Sequence, residues 1–210
     1  MGRLPSQGVA WYRKKLEIPD TDAGKKIFLD IDGAMSYAIV WLNGKLVGGW
    51  PYGYNSFRLD LTPYVKFGEE NQIAIRLDNP NFSSRWYPGG GIYRNVWLVK
   101  TNQIYVDHWG TTVTSTNIST ESAHLKLTVK VKNESNTVKH VQLKTDVFLV
   151  FSNSKRKKVE SFPEVAADIN SENEESVETA VELQKPQLWE PLPAKKHNMY
   201  VAVTQLYYDG

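Results

Sequence analysis

Residues 37–47 read YAIVWLNGKLV, and this stretch decides the fold class. Asn43-Gly44 is the pair a type I′ turn asks for, since both central positions need φ > 0. It lies between two apolar runs, Tyr37 to Leu42 and Lys45 to Val47, and so predicts a tight antiparallel hairpin. The first arm is almost continuously apolar, which predicts a strand covered on both faces. No stretch of the chain carries helical periodicity of useful length. The expectation is an all-β, antiparallel protein.

Working outward from the hairpin, residues 11–18 (WYRKKLEI) and Lys25 to Ile31 read as two earlier strands, separated by a turn at Pro19-Asp20. After the hairpin comes a loop rich in glycine and aromatics, Gly48 to Asn55, read as cover for a sheet edge. Phe57, Leu59 and Leu61 then alternate as a strand. Thr62-Pro63 reads as the N-cap and first position of a single helical turn, which Glu69-Glu70-Asn71 closes. Ile73, Ile75 and Leu77 make another strand, ended by Asp78-Asn79-Pro80.

Residues 83–99, SSRWYPGGGIYRNVWLV, follow. Pro88 and Gly89-Gly90-Gly91 make an irregular loop in which backbone or ligand can approach closely. Ile92, Tyr93, Val96, Trp97, Leu98 and Val99 resolve it into a strand. The loop thus hangs Arg85 and Trp86 from a rigid sheet, the usual construction of a binding loop. The plainer alternative is that Trp86 and Tyr87 cover the open end of a sandwich.

Beyond Lys100 the aromatics thin out and period-2 alternation becomes strict. Leu125, Leu127, Val129 and Val131 point one way; His124, Lys126, Thr128 and Lys130 point the other. Val141, Leu143, Val147 and Leu149 repeat the pattern, followed by Val177, Val181 and Leu183, then Met199, Val201 and Val203. This predicts a second antiparallel sandwich, with domains over 1–101 and 102–210 and Gln103 to Thr114 as the first strand of the second. Lys155-Arg156-Lys157-Lys158 and the group Glu172, Glu174, Glu175 read as loop tips of opposite sign.

Twenty-five Lys and Arg balance twenty-three Asp and Glu. That gives no basic footprint for nucleic acid. There is no cysteine, so disulfides, thiolate metal sites and a thiol nucleophile are excluded, while the compartment stays open. No run approaches the length of a membrane span, and no signal-peptide pattern appears. The Met1-Gly2 start fits the bare myristoylation pattern but is as easily a cloning artefact. Asn81, Asn117 and Asn133 open glycosylation-type tripeptides and are read as coincidences of composition. His108, His124, His140 and His197 lack metal-ligand spacing. The glycines at 89–91 lead into a strand, not a helix, so no phosphate cradle is expected. No nucleophilic serine elbow occurs. A glycosidase-type pair needs two carboxyls about 5–9.5 Å apart, one with a raised pKa. The acidic residues here fall instead in polar turns or on solvated strand faces. The chain reads as a scaffold with a binding loop, without metal, cofactor or catalytic residues of its own.

Several segments together resemble one family. They are Trp11-Tyr12-Arg13-Lys14, the hairpin Val40 to Gly48, Phe57-Arg58-Leu59-Asp60-Leu61-Thr62, and Ser84-Arg85-Trp86-Tyr87 with Gly90-Gly91-Ile92-Tyr93-Arg94-Asn95-Val96-Trp97-Leu98. In combination they resemble the sugar-binding jelly-roll (galactose-binding-like) domain of family 2 glycoside hydrolases, the β-galactosidase and β-glucuronidase group. Gln187-Leu188-Trp189-Glu190-Pro191 and Tyr200 to Thr204 resemble the immunoglobulin-like domain that follows in that family. The resemblance implies a retaining glycosidase whose two catalytic glutamates lie on a (β/α)₈ barrel beyond these two domains. This chain would then be its non-catalytic N-terminal portion, cut before the final strand of the second domain.

In that setting Trp86 would stack on a sugar face and Arg85 would donate to hydroxyls or a carboxylate, with a domain-interface plug as the alternative for Trp86. For Arg94 a corner ion pair is expected. The implied partners are a β-galactoside-like carbohydrate and the barrel; homo-oligomerisation stays open. The galactosidases of the group place an acidic residue where this chain has Ser83, Ser84 and Arg85, so an acidic or modified glycan is an alternative ligand. A free-standing carbohydrate-binding module with an accessory sandwich is the alternative function.

Overall fold

The structure is a computed structural model and describes residues 8–80, 89–151, 154–191, 193 and 197–208. The chain divides into two compact units, residues 1–102 and 103–210. Both are antiparallel β-sandwiches, a jelly-roll in the first and an immunoglobulin-like sandwich in the second.

The first unit contains β1 (Gly8–Ile18), β2 (Lys26–Ile31), β3 (Ala34–Met35), β4 (Ala38–Leu42), β5 (Lys45–Trp50), β6 (Phe57–Asp60), β7 (Glu69–Asn79), β8 (Gly91–Ile92) and β9 (Val96–Thr101). One sheet has the order β1-β7-β4-β5 and the other β6-β2-β9, with β3 and β8 as a short separate pair. Ile27, Leu29 and Ile31 from β2 meet Val40, Leu42, Ile73, Ile75 and Leu77 from the facing sheet in a single core. The period-2 spacing of these residues places them all on inner faces.

The predicted hairpin is there, with Asn43 at φ 52° and Gly44 at φ 78°. Its first arm differs from the expectation. Only Ala38, Val40 and Leu42 are buried, while Ile39 and Trp41 are half-exposed on the outer face. On that face Trp41 packs against Trp11 of β1, with ring centroids 5.2 Å apart. The continuous apolar run therefore reflects an outer aromatic patch.

A second correction concerns Asn71, which does not close a helical turn but lies inside β7. It is fully buried. Its oxygen accepts from Asn43 Nδ2 and the Lys66 N–H, each at 2.8 Å, and its Nδ2 donates to the carbonyls of Lys66 (2.8 Å) and Glu69 (3.0 Å). Asn43 Nδ2 also donates to the Tyr64 carbonyl, and the Gln72 N–H donates to Asn43 Oδ1. The hairpin turn is thereby tied to the chain entering β7. Thr62 opens a 3-10 turn, Thr62–Tyr64, without acting as its cap; its hydroxyl instead accepts the Ile27 N–H at 2.9 Å.

The second unit contains β10 (Ile104–Thr116), β11 (Ser122–Asn133), β12 (Lys139–Val150), β13 (Arg156–Ser161), β14 (Val165–Ile169), β15 (Asn173–Gln184) and β16 (Met199–Tyr208). β10-β11-β15 form one sheet. In the other, β12 pairs with β16 over Val141 to Val150, and its remaining edge is shared by β14 and then β13. Leu125, Leu127, Val129, Val131, Val141, Leu143 and Val147 form the core, on the faces the alternation predicts.

Three readings change here. β16 turns Tyr200, Leu206 and Tyr208 to the core, and leaves Met199 and Val203 exposed. Residues 199–203 are apolar at both parities, so hydropathy carries no facing signal, and pairing of Ala202 with Val147 and Tyr200 with Leu149 sets it. Arg156, Lys157 and Lys158 lie on edge strand β13 and not at a loop tip. Glu174 and Glu175 lie on β15, with Glu172 alone in the turn at φ 54°.

The outer face of β10-β11-β15 carries a ladder of cross-strand pairs. His124 meets Glu182 (2.7 Å), Lys126 meets Glu178 (2.9 Å), and Lys130 meets Glu174. Lys130 and Lys132 also reach Asp107. Exposed pairs of this kind add little stability, about 0–1 kcal/mol each, but they mark a face turned to water. Asn133, the third glycosylation-type asparagine, is fully buried and donates to the carbonyls of Thr137 and Ile169.

Candidate functional site

One end of the first sandwich gathers three loops, at residues 32–37, 51–56 and 91–95, into a locked platform. β3 pairs with β8, Met35 opposite Gly91. Ser36 exchanges bonds with Asp78: its hydroxyl donates to the Asp78 carbonyl (2.7 Å), and the Asp78 N–H donates to the Ser36 carbonyl (2.8 Å). The Tyr37 N–H donates to the Pro51 carbonyl and the Asp32 N–H to the Asn95 carbonyl. The Tyr93 hydroxyl donates to the Gly53 carbonyl at 2.7 Å, and Trp97 Nε1 donates to Asp32 Oδ2 at 3.0 Å.

Two glycines are required by these contacts. A Cβ on Gly53 would lie 2.3 Å from Met35 Sδ, and one on Gly33 would lie 2.6 Å from the Tyr93 ring. Each would drive a side chain out of the platform.

The platform presents Tyr37, Tyr52, Tyr54 and Tyr93, each about half-exposed, with Tyr52 and Tyr54 at a centroid distance of 5.5 Å. Aromatic faces beside hydroxyls suit a ring that is apolar on its faces and polar at its rim. Edge cover, the expectation for the 50–55 loop, leaves this cluster out. The tyrosines at 37, 52, 54 and 93 are far apart in sequence, and only their loop positions hint at it.

The connection from β7 to β8 leaves and re-enters at this platform. Arg85 and Trp86, the two substrate-binding residues expected from the sequence, belong to it and lie outside the described residues. Arg94 is exposed and makes no ion pair among the described residues, contrary to expectation.

The carboxylates whose pKa is perturbed all shift downward. Lys100 and Lys25 hold Asp22 below the ordinary carboxylate value. Lys158 and Ser161 do the same for Asp146, Lys130 for Glu174, and Lys126 with Thr128 for Glu178. Burial pushes Asp107 up, but the His108 N–H and Lys132 outweigh it and leave it lowered. A general acid needs the opposite shift. Among the described residues no group of three or more His, Asp or Glu side chains is placed to hold a metal. No helix there is long and apolar enough to cross a membrane.

Comparison with known proteins places this geometry. The family described as "Glycosyl hydrolases family 2, sugar binding domain" matches residues 4–102, and "Glycosyl hydrolases family 2" matches residues 104–210. The chain belongs to glycosyl hydrolase family 2. A β-galactosidase of Bacteroides ovatus, BoGH2A, is 48% identical over 143 residues, covering 67% of this chain and 16% of its own length. A β-glucuronidase of Formosa agariphila is 34% identical over 204 residues, covering 87% and 20%.

Among solved structures, a family 2 β-glucuronidase superposes with a TM-score of 0.86 at 31% identity, over 96% of this chain and 22% of that one. A putative β-galactosidase from Bacteroides fragilis superposes with a TM-score of 0.85 at 28% identity, over 98% and 31%. The family 2 chain thus spans a sixth to a fifth of these two curated relatives and corresponds to their N-terminal domains.

Proposed function

We propose that this chain is the non-catalytic N-terminal portion of a β-galactosidase-like enzyme that hydrolyses O-glycosyl bonds. In this reading the reacting carboxylates sit on a barrel outside these 210 residues. The platform of Tyr37, Tyr52, Tyr54 and Tyr93 offers the sugar an aromatic surface. Trp86 stacks on the ring, and Arg85 donates to its hydroxyls or to a carboxylate. The observation that supports the reading is that the family matches fill the chain while it spans only 16% and 20% of the two enzymes it resembles, beside an aromatic surface suited to sugars.

The test is an assay of the chain with chromogenic β-galactosides and β-glucuronides. No turnover is expected from the 210 residues, and turnover from the longer polypeptide of the same reading frame. In that longer enzyme Arg85→Ala and Trp86→Ala should raise KM for the preferred sugar. Turnover by the 210 residues that a carboxylate substitution abolishes would overturn the proposal. Tight sugar binding by the chain alone, lost in Trp86→Ala, would favour a free-standing carbohydrate-binding module instead.

A further inference from the structure

β10 breaks its ladder with β11 at one place. Val106 faces Val131 and Thr111 faces Val129, so residues 107–110 stand opposite Lys130 alone. Bulges of this kind re-aim side chains and recur at sheet edges and beside functional sites. This one turns Trp109 into solvent. Trp109 is 74% exposed, more than any other large apolar side chain among the described residues.

Two contacts hold the bulge in shape. Gly110 passes so close to neighbouring backbone that a Cβ there would lie 2.8 Å from the Asp107 carbonyl oxygen and 2.9 Å from that of Lys130. The Asp107 carboxylate meets Lys130 (3.6 Å) and Lys132 (3.3 Å), and both lysines also reach Glu174. Trp109 itself sits at φ 53°, a left-handed conformation that costs a bulky residue energy and that glycine adopts freely. Burial does not offset that cost, because the ring stands in water. Strain kept at an exposed aromatic points to a ligand.

The surroundings indicate the ligand's chemistry. The His108 ring stacks on the indole, with centroids 4.4 Å apart and 27° between the planes, so it backs one face and leaves the other open. The charges at the bulge close on themselves, Lys130 and Lys132 against Asp107 and Glu174, and call for neither an anion nor a cation. A dry protein surface laid over them would strip their hydration, whereas hydroxyls replace water there. A ring that is apolar on its face and hydroxylated at its rim meets both demands. We propose that Trp109 is the stacking residue of a carbohydrate contact on the second sandwich. Its ligand is a neutral pyranose ring of an oligosaccharide, with hydroxyls toward Asp107. This contact does not rest on the roles given to Arg85, Trp86 or the tyrosine platform.

The test follows the indole N–H signals of the isotope-labelled 210-residue chain by NMR while cellotetraose or a β-linked galactotetraose is added. The Trp109 signal is assigned by its loss in Trp109→Gly. It should shift and saturate with at least one of the two sugars, at half-saturation below about 10 mM, and do so equally in Tyr52→Ala. The thermal midpoint of Trp109→Gly should hold or rise by up to about 5 °C, since the strain is relieved. A Trp109 signal that neither sugar moves to saturation overturns the proposal and leaves the reading of the first sandwich intact. A response lost in Tyr52→Ala places the sugar on the tyrosine platform and overturns it too. So does a lowered midpoint in Trp109→Gly, which would make the indole part of the packing. If the signal moves with protein concentration and not with sugar, the occupant is a second copy and the proposal falls.

Discussion

Replacing Asn71 by aspartate is the most searching perturbation of the first sandwich, because its shape is kept while its hydrogen-bonding sense is half reversed. The native amide faces two donors with its oxygen and two carbonyls with its nitrogen, all within 3.0 Å. Aspartate keeps the first two bonds. Its second oxygen then points at the carbonyls of Lys66 and Glu69, in a fully buried place. Two lost bonds, two stranded acceptors and a buried charge together predict a loss of roughly 3–5 kcal/mol near neutral pH. That is a large share of the about 5–15 kcal/mol a domain commands.

The sign of the pH effect follows from the same geometry. Burial and the facing carbonyls would raise the new carboxyl's folded pKa above its unfolded value. The penalty is full above the raised value and shrinks as pH falls toward about 4, where a protonated carboxyl can donate again. Asn71→Ala strands the same groups without a charge, so its cost should stay flat with pH. The assay is urea unfolding followed by tryptophan fluorescence, at about pH 7 and pH 5. A cost for Asn71→Asp below about 1 kcal/mol, or a pH dependence equal to that of Asn71→Ala, would refute the role assigned to this amide.

Gly53→Ala should destabilise the first unit by about 1–3 kcal/mol, and Met35→Ala in the same chain should recover part of it; strictly additive costs in a double-mutant cycle would count against the platform. Tyr93→Phe, which deletes the bond to the Gly53 carbonyl, should cost about 1 kcal/mol by thermal melting, and no change would mean the loops are held otherwise. Asp22 is held below the ordinary carboxylate value by Lys100 and Lys25. Its contribution is therefore present above that value and lost as pH falls through the lowered one. The stability gap between the native chain and Asp22→Asn should close on acidification in urea titrations, and a constant gap would contradict this. The 210-residue chain should also self-associate as its concentration rises, through the edge of β16 that has no strand partner among the described residues; a clean monomer in sedimentation velocity at high concentration would speak against it.

Much of the architecture is legible in the residue order because it rests on local rules. Asn43-Gly44 demands its turn, and the alternation at Leu125, Leu127, Val129 and Val131 leaves one consistent facing. What stayed hidden depends on pairing between distant segments. Asn71 looks like a turn residue by type and becomes a buried junction only once β4 and β7 lie side by side. Met199 to Val203 is apolar at both parities, so only the register with β12 chooses its inner face. The basic run at 155–158 has turn-like composition, yet Arg156, Lys157 and Lys158 sit on an edge strand. At the candidate site the order of residues pointed to Arg85 and Trp86, which fall outside the described residues. The tyrosines of the platform come from three separate loops, and the Tyr93-to-Gly53 bond that joins two of those loops spans forty positions.

The ionic ladder on β10-β11-β15 has a practical corollary. Since the chain contains no cysteine, a single thiol introduced at Lys126 would be the sole alkylation site in these domains. It would stand on the outer face of that sheet, in place of a side chain whose ion pair, with Glu178, is exposed. A dye or a solid support coupled there reports on the second sandwich, or immobilises it, without entering its core.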